Sequence, residues 1–146
     1  MQLTRRGEYA IRAMYDLAIY EVEGTTYSKE IARRQQIPPK YIAQILLDLS
    51  RAGLVYTTRG AHGGVRLARS ADEISLRAII EAIEGPISLN ICLLREGECE
   101  KEDDCPIHEI WVKVQGDMLK TLTGTTLTAL KSSHDEKKQL LETTID

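Results

Sequence analysis

Three short stretches of apolar residues at helical spacing, followed at once by a β-rich run that doubles back across Gly60-Ala61-His62-Gly63-Gly64, constrain this chain more than any other feature. Thr4 suits a helix N-cap. After it Ala10, Ala13, Met14, Leu17 and Ala18 recur at helical steps to about Val22, with Gly24 as the stop. Ser28 offers a second N-cap with Ile31 and Ala32 behind it, and that helix stops near Gln35. Ile37-Pro38-Pro39 reads as a turn whose last proline opens a third helix. Ile42, Ile45, Leu46 and Leu49 share one face of it, Lys40, Tyr41, Gln44, Asp48 and Arg51 the other, and Gly53 ends it. Leu54 to Arg59 and Val65 to Leu67 then form a hairpin with a flexible glycine tip.

Beyond the hairpin, Ser75 caps a fourth helix with Leu76, Ile79, Ile80 and Ile83 inside and Gly85 at its end. Pro86 to Cys105 is irregular and acidic, and it holds all three cysteines. Pro106 opens a long helix, Gly124 interrupts it, and Thr125 starts a shorter one reaching Leu130. The tail from Lys131 to Asp146 is polar and is expected to be mobile. The predicted fold is mainly α with a small β-hairpin: a winged helix-turn-helix plus a long dimerisation helix. The expected divisions are 1–85 for the winged helix-turn-helix, 86–105 for a cysteine-bearing loop, 106–130 for the dimerisation and short C-terminal helices, and 131–146 for the tail. The long helix has more apolar residues than a small domain needs to cover. Ile110, Trp111, Val114, Met118, Leu119 and Leu122 are therefore predicted to form a homodimer interface, with Trp111 and Leu119 as anchors.

Charge divides the chain the same way. Residues 1–70 carry 11 Lys/Arg and 6 Asp/Glu; residues 71–146 carry 8 and 16. The first half is basic by five charges and the second acidic by eight, so a polyanion-binding module is joined to something else. No apolar run approaches the roughly 20 residues of a membrane span. Glu8, Arg12 and Asp16 interrupt any signal-peptide stretch, so a cytoplasmic protein with no membrane partner is expected.

The basic half suits double-stranded DNA. The third helix exposes polar side chains at its start, and only a helix-sized object enters the major groove. Gln44 can bond adenine at two points, Lys40 can reach guanine or phosphate, and Tyr41 can meet a sugar or a thymine methyl. Ser28 opens a helix whose N–H groups can grip phosphate. Arg59 leads into the hairpin tip, where the glycines from Gly60 on allow close approach to a backbone and His62 is a further DNA-binding candidate; an arginine on a thin wing suits a narrow minor groove.

Cys92, Cys99, Cys105 and His108 lie within 17 residues. Thiolates and imidazole suit iron–sulfur clusters, zinc or copper. Structural zinc sites draw on pairs two to four residues apart, whereas gaps of six and five residues separate these cysteines. The wide gaps fit a cluster in a loop better. An odd cysteine count in a cytoplasmic chain disfavours a structural disulfide. Zinc binding or thiol oxidation at the same cysteines stays open. No nucleotide loop, nucleophile–base pair or second cofactor motif is present, so an enzyme is not expected.

Met1-Gln2-Leu3-Thr4, Gly7-Glu8-Tyr9-Ala10, Ile37 through Gln44, Gly53-Leu54-Val55, Arg59-Gly60 and Gly63-Gly64 together resemble the bacterial winged-helix regulator family of the iron–sulfur cluster regulator IscR, with NsrR, RirA and CymR. The resemblance covers roughly residues 1–130. It implies a homodimeric repressor on a palindromic operator, a 2Fe–2S cluster on the three cysteines and His108, and control of cluster-assembly genes. It also leaves Glu8 as an alternative ligand from the opposite protomer, with a 4Fe–4S cluster, and nitric oxide as an alternative signal. IscR-like members often carry glutamate where this chain has Ala43, and a glutamate there can make base choice depend on sensor state.

Overall fold

The computed structural model describes residues 2–20, 24–61 and 63–144. Its helices are α1 (Arg5–Tyr20), α2 (Ser28–Gln35), α3 (Pro39–Arg51), α4 (Leu76–Glu84), α5 (Pro106–Gly124) and α6 (Leu127–Thr144), with strands β1 (Val55–Thr58) and β2 (Gly64–Leu67) between α3 and α4. The fold is the expected one, mainly α with one small antiparallel sheet. Glu21, Val22 and Glu23, where the first helix was expected to end, and His62 at the hairpin tip lie outside the described residues.

Local signals explain most boundaries. The Thr4 hydroxyl accepts the Gly7 N–H at 3.2 Å, and the Thr4 N–H donates to the Glu84 carboxylate at 3.2 Å, which ties the start of α1 to the end of α4. Pro39 is in the first turn of α3, and Gly53 follows its end with a φ of 70° that a side chain would resist. The Ser75 hydroxyl accepts the Ala78 N–H at 3.2 Å. Ser28 departs from its expected role: Tyr27 occupies the cap position, without a side-chain cap bond, and Ser28 is the first residue of α2.

The core sits where α1, α3, α4 and the hairpin meet, filled by the side chains of Met14, Ile31, Ile45, Leu49, Leu54 and Ile79. Deep between α1 and α2 lies one charge, Asp16. Its carboxylate accepts two guanidinium N–H groups of Arg34, at 2.7 and 3.0 Å, and the Gln35 amide at 3.0 Å. Arg34 also stacks over the Tyr20 ring at 4.0 Å.

In the hairpin Val55 pairs with Leu67 and Thr58 with Gly64. Thr26 bridges Val65 from the other side, exchanging N–H···O bonds of 3.1 and 2.7 Å. The connector before α2 therefore braces the hairpin. A Cβ on Gly63 would lie 2.2 Å from the Thr58 carbonyl oxygen, so this close turn requires glycine.

No residue of α5 is fully buried, although one flank packs on α4 and on a short 3-10 turn at Ile91–Leu93. After the break at Gly124 the chain returns to the domain. Leu127 is fully buried and its N–H donates to the Ile74 carbonyl at 3.0 Å. From there α6 runs to Thr144, which corrects the expected short helix ending at Leu130 and polar tail from Lys131. It packs along α1, where the Tyr15 hydroxyl is hydrogen-bonded to His134 Nδ1. Among the described residues no helix is long and apolar enough to cross a membrane.

Candidate DNA interface and cysteine loop

α3 turns Ala43, Gln44 and Leu47 outward. These residues share one groove with Tyr27 and Ser28 at the start of α2 and with Arg59 on the hairpin. The elements placed on DNA by sequence therefore do converge: α3, the start of α2 and the wing border a single concave face. Gln44, Lys40, Arg59 and Gly60 are all exposed. Gln44 is also restrained, because its amide donates to Asp48 Oδ1 at 3.0 Å.

Tyr41 is only partly available. It is half-buried against the core, its ring lies 5.5 Å from that of Tyr9, and the Lys40 ammonium sits 5.0 Å from the Tyr41 ring centre.

Leu47 was missed by sequence reasoning. It is 43% exposed and lines the groove beside Gln44. The doublet Leu46-Leu47 carried the signal, since successive helical residues stand about 100° apart and only one can join the apolar face.

The cysteine loop is a chain of turns between the Ile91–Leu93 turn and α5. Cys92 lies in the first turn, Cys105 is the N-cap of α5 with its thiol uninvolved in capping, and His108 is in the first helical turn. Cys92, Glu102 and His108 line one pocket; Cys105, Glu102 and His108 line a second. His108 thus faces both thiols' surroundings, and Cys99 borders neither pocket. The backbone carbonyl of Cys99 instead accepts the Glu102 N–H at 3.1 Å, and the Glu102 carboxylate accepts the Gly97 N–H at 2.9 Å. His108 Nε2 stands 3.9 Å from Glu102 Oε1, while its Nδ1 is buried without a hydrogen-bond partner among the described residues.

That orphaned nitrogen among half-buried thiols suits a soft metal centre chemically. Among the described residues, however, no three His, Cys, Asp or Glu side chains are gathered closely enough to hold a metal ion. Glu8, the alternative carboxylate, is held elsewhere: it pairs with Arg5 at 3.0 Å and also with Arg12.

The comparisons bear on this arrangement as a whole. Residues 3–133 match the Rrf2 family, described as an iron-dependent transcriptional regulator. The HTH-type transcriptional regulator IscR of Pectobacterium carotovorum is 34% identical over 135 residues, which are 92% of this chain and 82% of that protein. Its counterpart in Aliivibrio salmonicida is 35% identical over 127 residues, 87% of this chain and 75% of that one. Among solved structures, CymR, the global cysteine regulator of B. subtilis, superposes with a TM-score of 0.77 at 32% identity, covering 91% of this chain and 98% of that one. IscR of T. potens gives 0.75 at 30% identity, covering 94% and 90%. The family match over residues 3–133, with transcriptional regulators 30% or more identical over most of their length, places this chain in the Rrf2 family as a DNA-binding transcriptional regulator.

Proposed function

We propose that the chain acts in the cytoplasm as a homodimeric repressor that holds an iron–sulfur cluster, of the 2Fe–2S type, on Cys92, Cys99, Cys105 and His108, and that cluster status sets its affinity for operators of cluster-assembly genes. The observation that carries this is His108. Its Nδ1 is buried and unpaired, and its ring borders the pockets of both Cys92 and Cys105. An unsatisfied buried nitrogen costs about 1–3 kcal/mol, which coordination would remove. Glu8 is the weaker candidate for the fourth ligand because two arginines already neutralise it.

When bound, the cluster supplies a centre whose potential and stability depend on its ligands and surroundings. The remaining work belongs to the chain's own side chains. Gln44 reads a base edge from α3, Lys40 and the Ser28 end of α2 bind phosphate, and Arg59 enters the minor groove beside the wing. The exposed apolar face of α5, with Ile110, Trp111 and Val114, pairs two protomers and so fixes the spacing of their two recognition helices. Zinc loading or thiol oxidation at the same cysteines is the second reading, since all three are free, half-buried thiols.

Anaerobic purification with iron, sulfide and zinc analysis separates the two. A coloured protein with iron and sulfide in equal amounts, and operator affinity that differs between cluster-loaded, cluster-free and Cys92→Ala protein at one salt concentration, supports the proposal. A colourless zinc protein, or identical affinity and footprint for all three forms on every operator tried, overturns it.

A further inference from the structure

Asp48 has three neighbours. Oδ1 accepts the Gln44 side-chain amide at 3.0 Å and stands 3.6 Å from Arg51 Nη1; Oδ2 accepts Arg6 Nη2 at 2.5 Å. Its side chain is only 18% exposed, although it lies on the DNA-facing helix one turn after Gln44. Both its oxygens are already engaged within the protein, which leaves it poorly placed to accept from a base directly.

We propose that Asp48 is a positioning residue that fixes the direction of the Gln44 amide and thereby sets which way round an A·T pair is read. This rests on the assignment of Gln44 to a base edge. An ionised carboxylate only accepts hydrogen bonds, so Gln44 must turn its NH2 group towards Asp48. One N–H is then spent and the other remains, with the carbonyl oxygen held on the opposite side. These two free groups match the N7 acceptor and N6–H donor of adenine in one fixed order. A freely rotating glutamine presents either order and discriminates less between A·T and T·A. Arg6, reaching from the first turn of α1, holds Asp48 in turn, so the reading direction is tied to α1 as well as to the recognition helix.

The experiment measures affinity for an operator series in which each base pair of one half-site is placed in all four states. It uses full-length wild-type protein, Gln44→Ala, Asp48→Ala, Asp48→Asn and the Gln44→Ala/Asp48→Ala double variant. Thermal melts accompany each variant. Wild-type protein is expected to prefer one orientation of A·T at a single position by about tenfold or more, and Gln44→Ala to lose that preference. Asp48→Ala should cut the same preference at least about threefold while leaving affinity for non-operator DNA equal or higher, because a negative charge has gone. In the Gln44→Ala background Asp48→Ala should change nothing at that position. In Asp48→Asn the amide oxygen is drawn to Arg6 and its N–H groups face Gln44. Gln44 then flips, presents donors to the groove, and shifts preference towards guanine, which offers two acceptors there. If Gln44→Ala alters no position, the base-reading assignment fails and the inference with it. If Gln44→Ala abolishes the preference but Asp48→Ala and Asp48→Asn leave it intact, Gln44 reads the base unaided and only the role of Asp48 is overturned.

Discussion

The side-chain carbonyl of Gln115, in the middle of α5, accepts the backbone N–H of Leu89 at 2.9 Å, three residues before Cys92. The next residue repeats the link. With its amide oxygen turned towards Trp111, Asn90 accepts the indole N–H at 3.0 Å. The segment that leads into the cysteine loop is thus stitched to the helix with the exposed apolar face. Trp111 serves both sides: its N–H faces the loop while 37% of the residue stays exposed.

The first prediction follows from that stitch. Gln115→Leu leaves helix and volume intact but deletes the acceptor for Leu89. Operator affinity of the cluster-free protein should change little. The difference between cluster-loaded and cluster-free forms should shrink by roughly 0.5–2 kcal/mol, the usual scale for a residue that carries coupling. Titration of one operator by both forms of both proteins measures this; an undiminished difference would show that the loop communicates by another route.

The second prediction concerns assembly. Ile110 is 60% exposed and Val114 is 44% exposed on the same helix. Val114→Glu or Ile110→Glu should leave the helical circular dichroism signal unchanged and give monomers in light scattering, because pairing would bury an unpaired charge. Operator affinity should fall with it by at least about tenfold, since one half-site alone then holds the protein. A stable dimer in either variant would remove α5 from the interface.

The parts of this architecture that a sequence displays are those governed by short-range rules. Apolar spacing set α1 to α4, Pro39 and Pro106 marked two helix starts, and the glycines around residue 60 marked the turn. What stayed hidden depends on distant partners. Tyr41 is drawn inward by Tyr9 on another helix, and Asp48 owes its orientation to Arg6, 42 positions earlier. Ser28 has the right chemistry for a cap, but the backbone reaches its extended cap conformation one residue earlier, at Tyr27. The stretch of α6 after Leu130 is mostly polar, so no apolar stripe announces it; one of its ties to the rest of the fold is the hydrogen bond between His134 and Tyr15. The cysteine spacing pointed to soft-metal chemistry, yet spacing alone could not reveal that Cys99 sits apart from the pockets shared by His108.

A third prediction tests the buried ion pair. Asp16 is fully buried and both its oxygens are engaged by Arg34, with Gln35 completing the set. Asp16→Ala leaves the Arg34 guanidinium with only the more distant Glu30 carboxylate, 3.9 Å away, and should cost up to about 3–5 kcal/mol. Replacing both partners by apolar residues of similar volume, Asp16→Leu with Arg34→Met, should cost far less, because no charge is then stranded. Chemical denaturation of the single and double variants decides it. Equal losses would mean that Arg34 stabilises chiefly through its stacking on Tyr20.

The last prediction uses the contact between α1 and α6. Burial raises the Tyr15 hydroxyl above its usual pKa of 10.0, and the nearby charge of Asp135 raises it further. The neutral phenol is therefore favoured in the folded state relative to the unfolded one. Its contribution is fully present below the unfolded value and is lost as pH rises through the higher folded value. Wild-type protein should accordingly lose stability on the alkaline side, beginning near pH 10, as the phenolate forms in the unfolded chain first. Tyr15→Phe cannot ionise. It should be less stable at neutral pH by about 0.5–1.5 kcal/mol for the lost hydrogen bond to His134, and its alkaline decline should be shallower. Melting temperatures of both proteins from about pH 8 to about pH 11 give the comparison. Asp135→Asn should leave the onset near the unfolded value of 10.0 but make the total alkaline loss smaller, since it removes part of what holds the hydroxyl protonated in the folded state. Parallel alkaline declines for all three proteins would show that this hydroxyl does not link α6 to the rest of the fold.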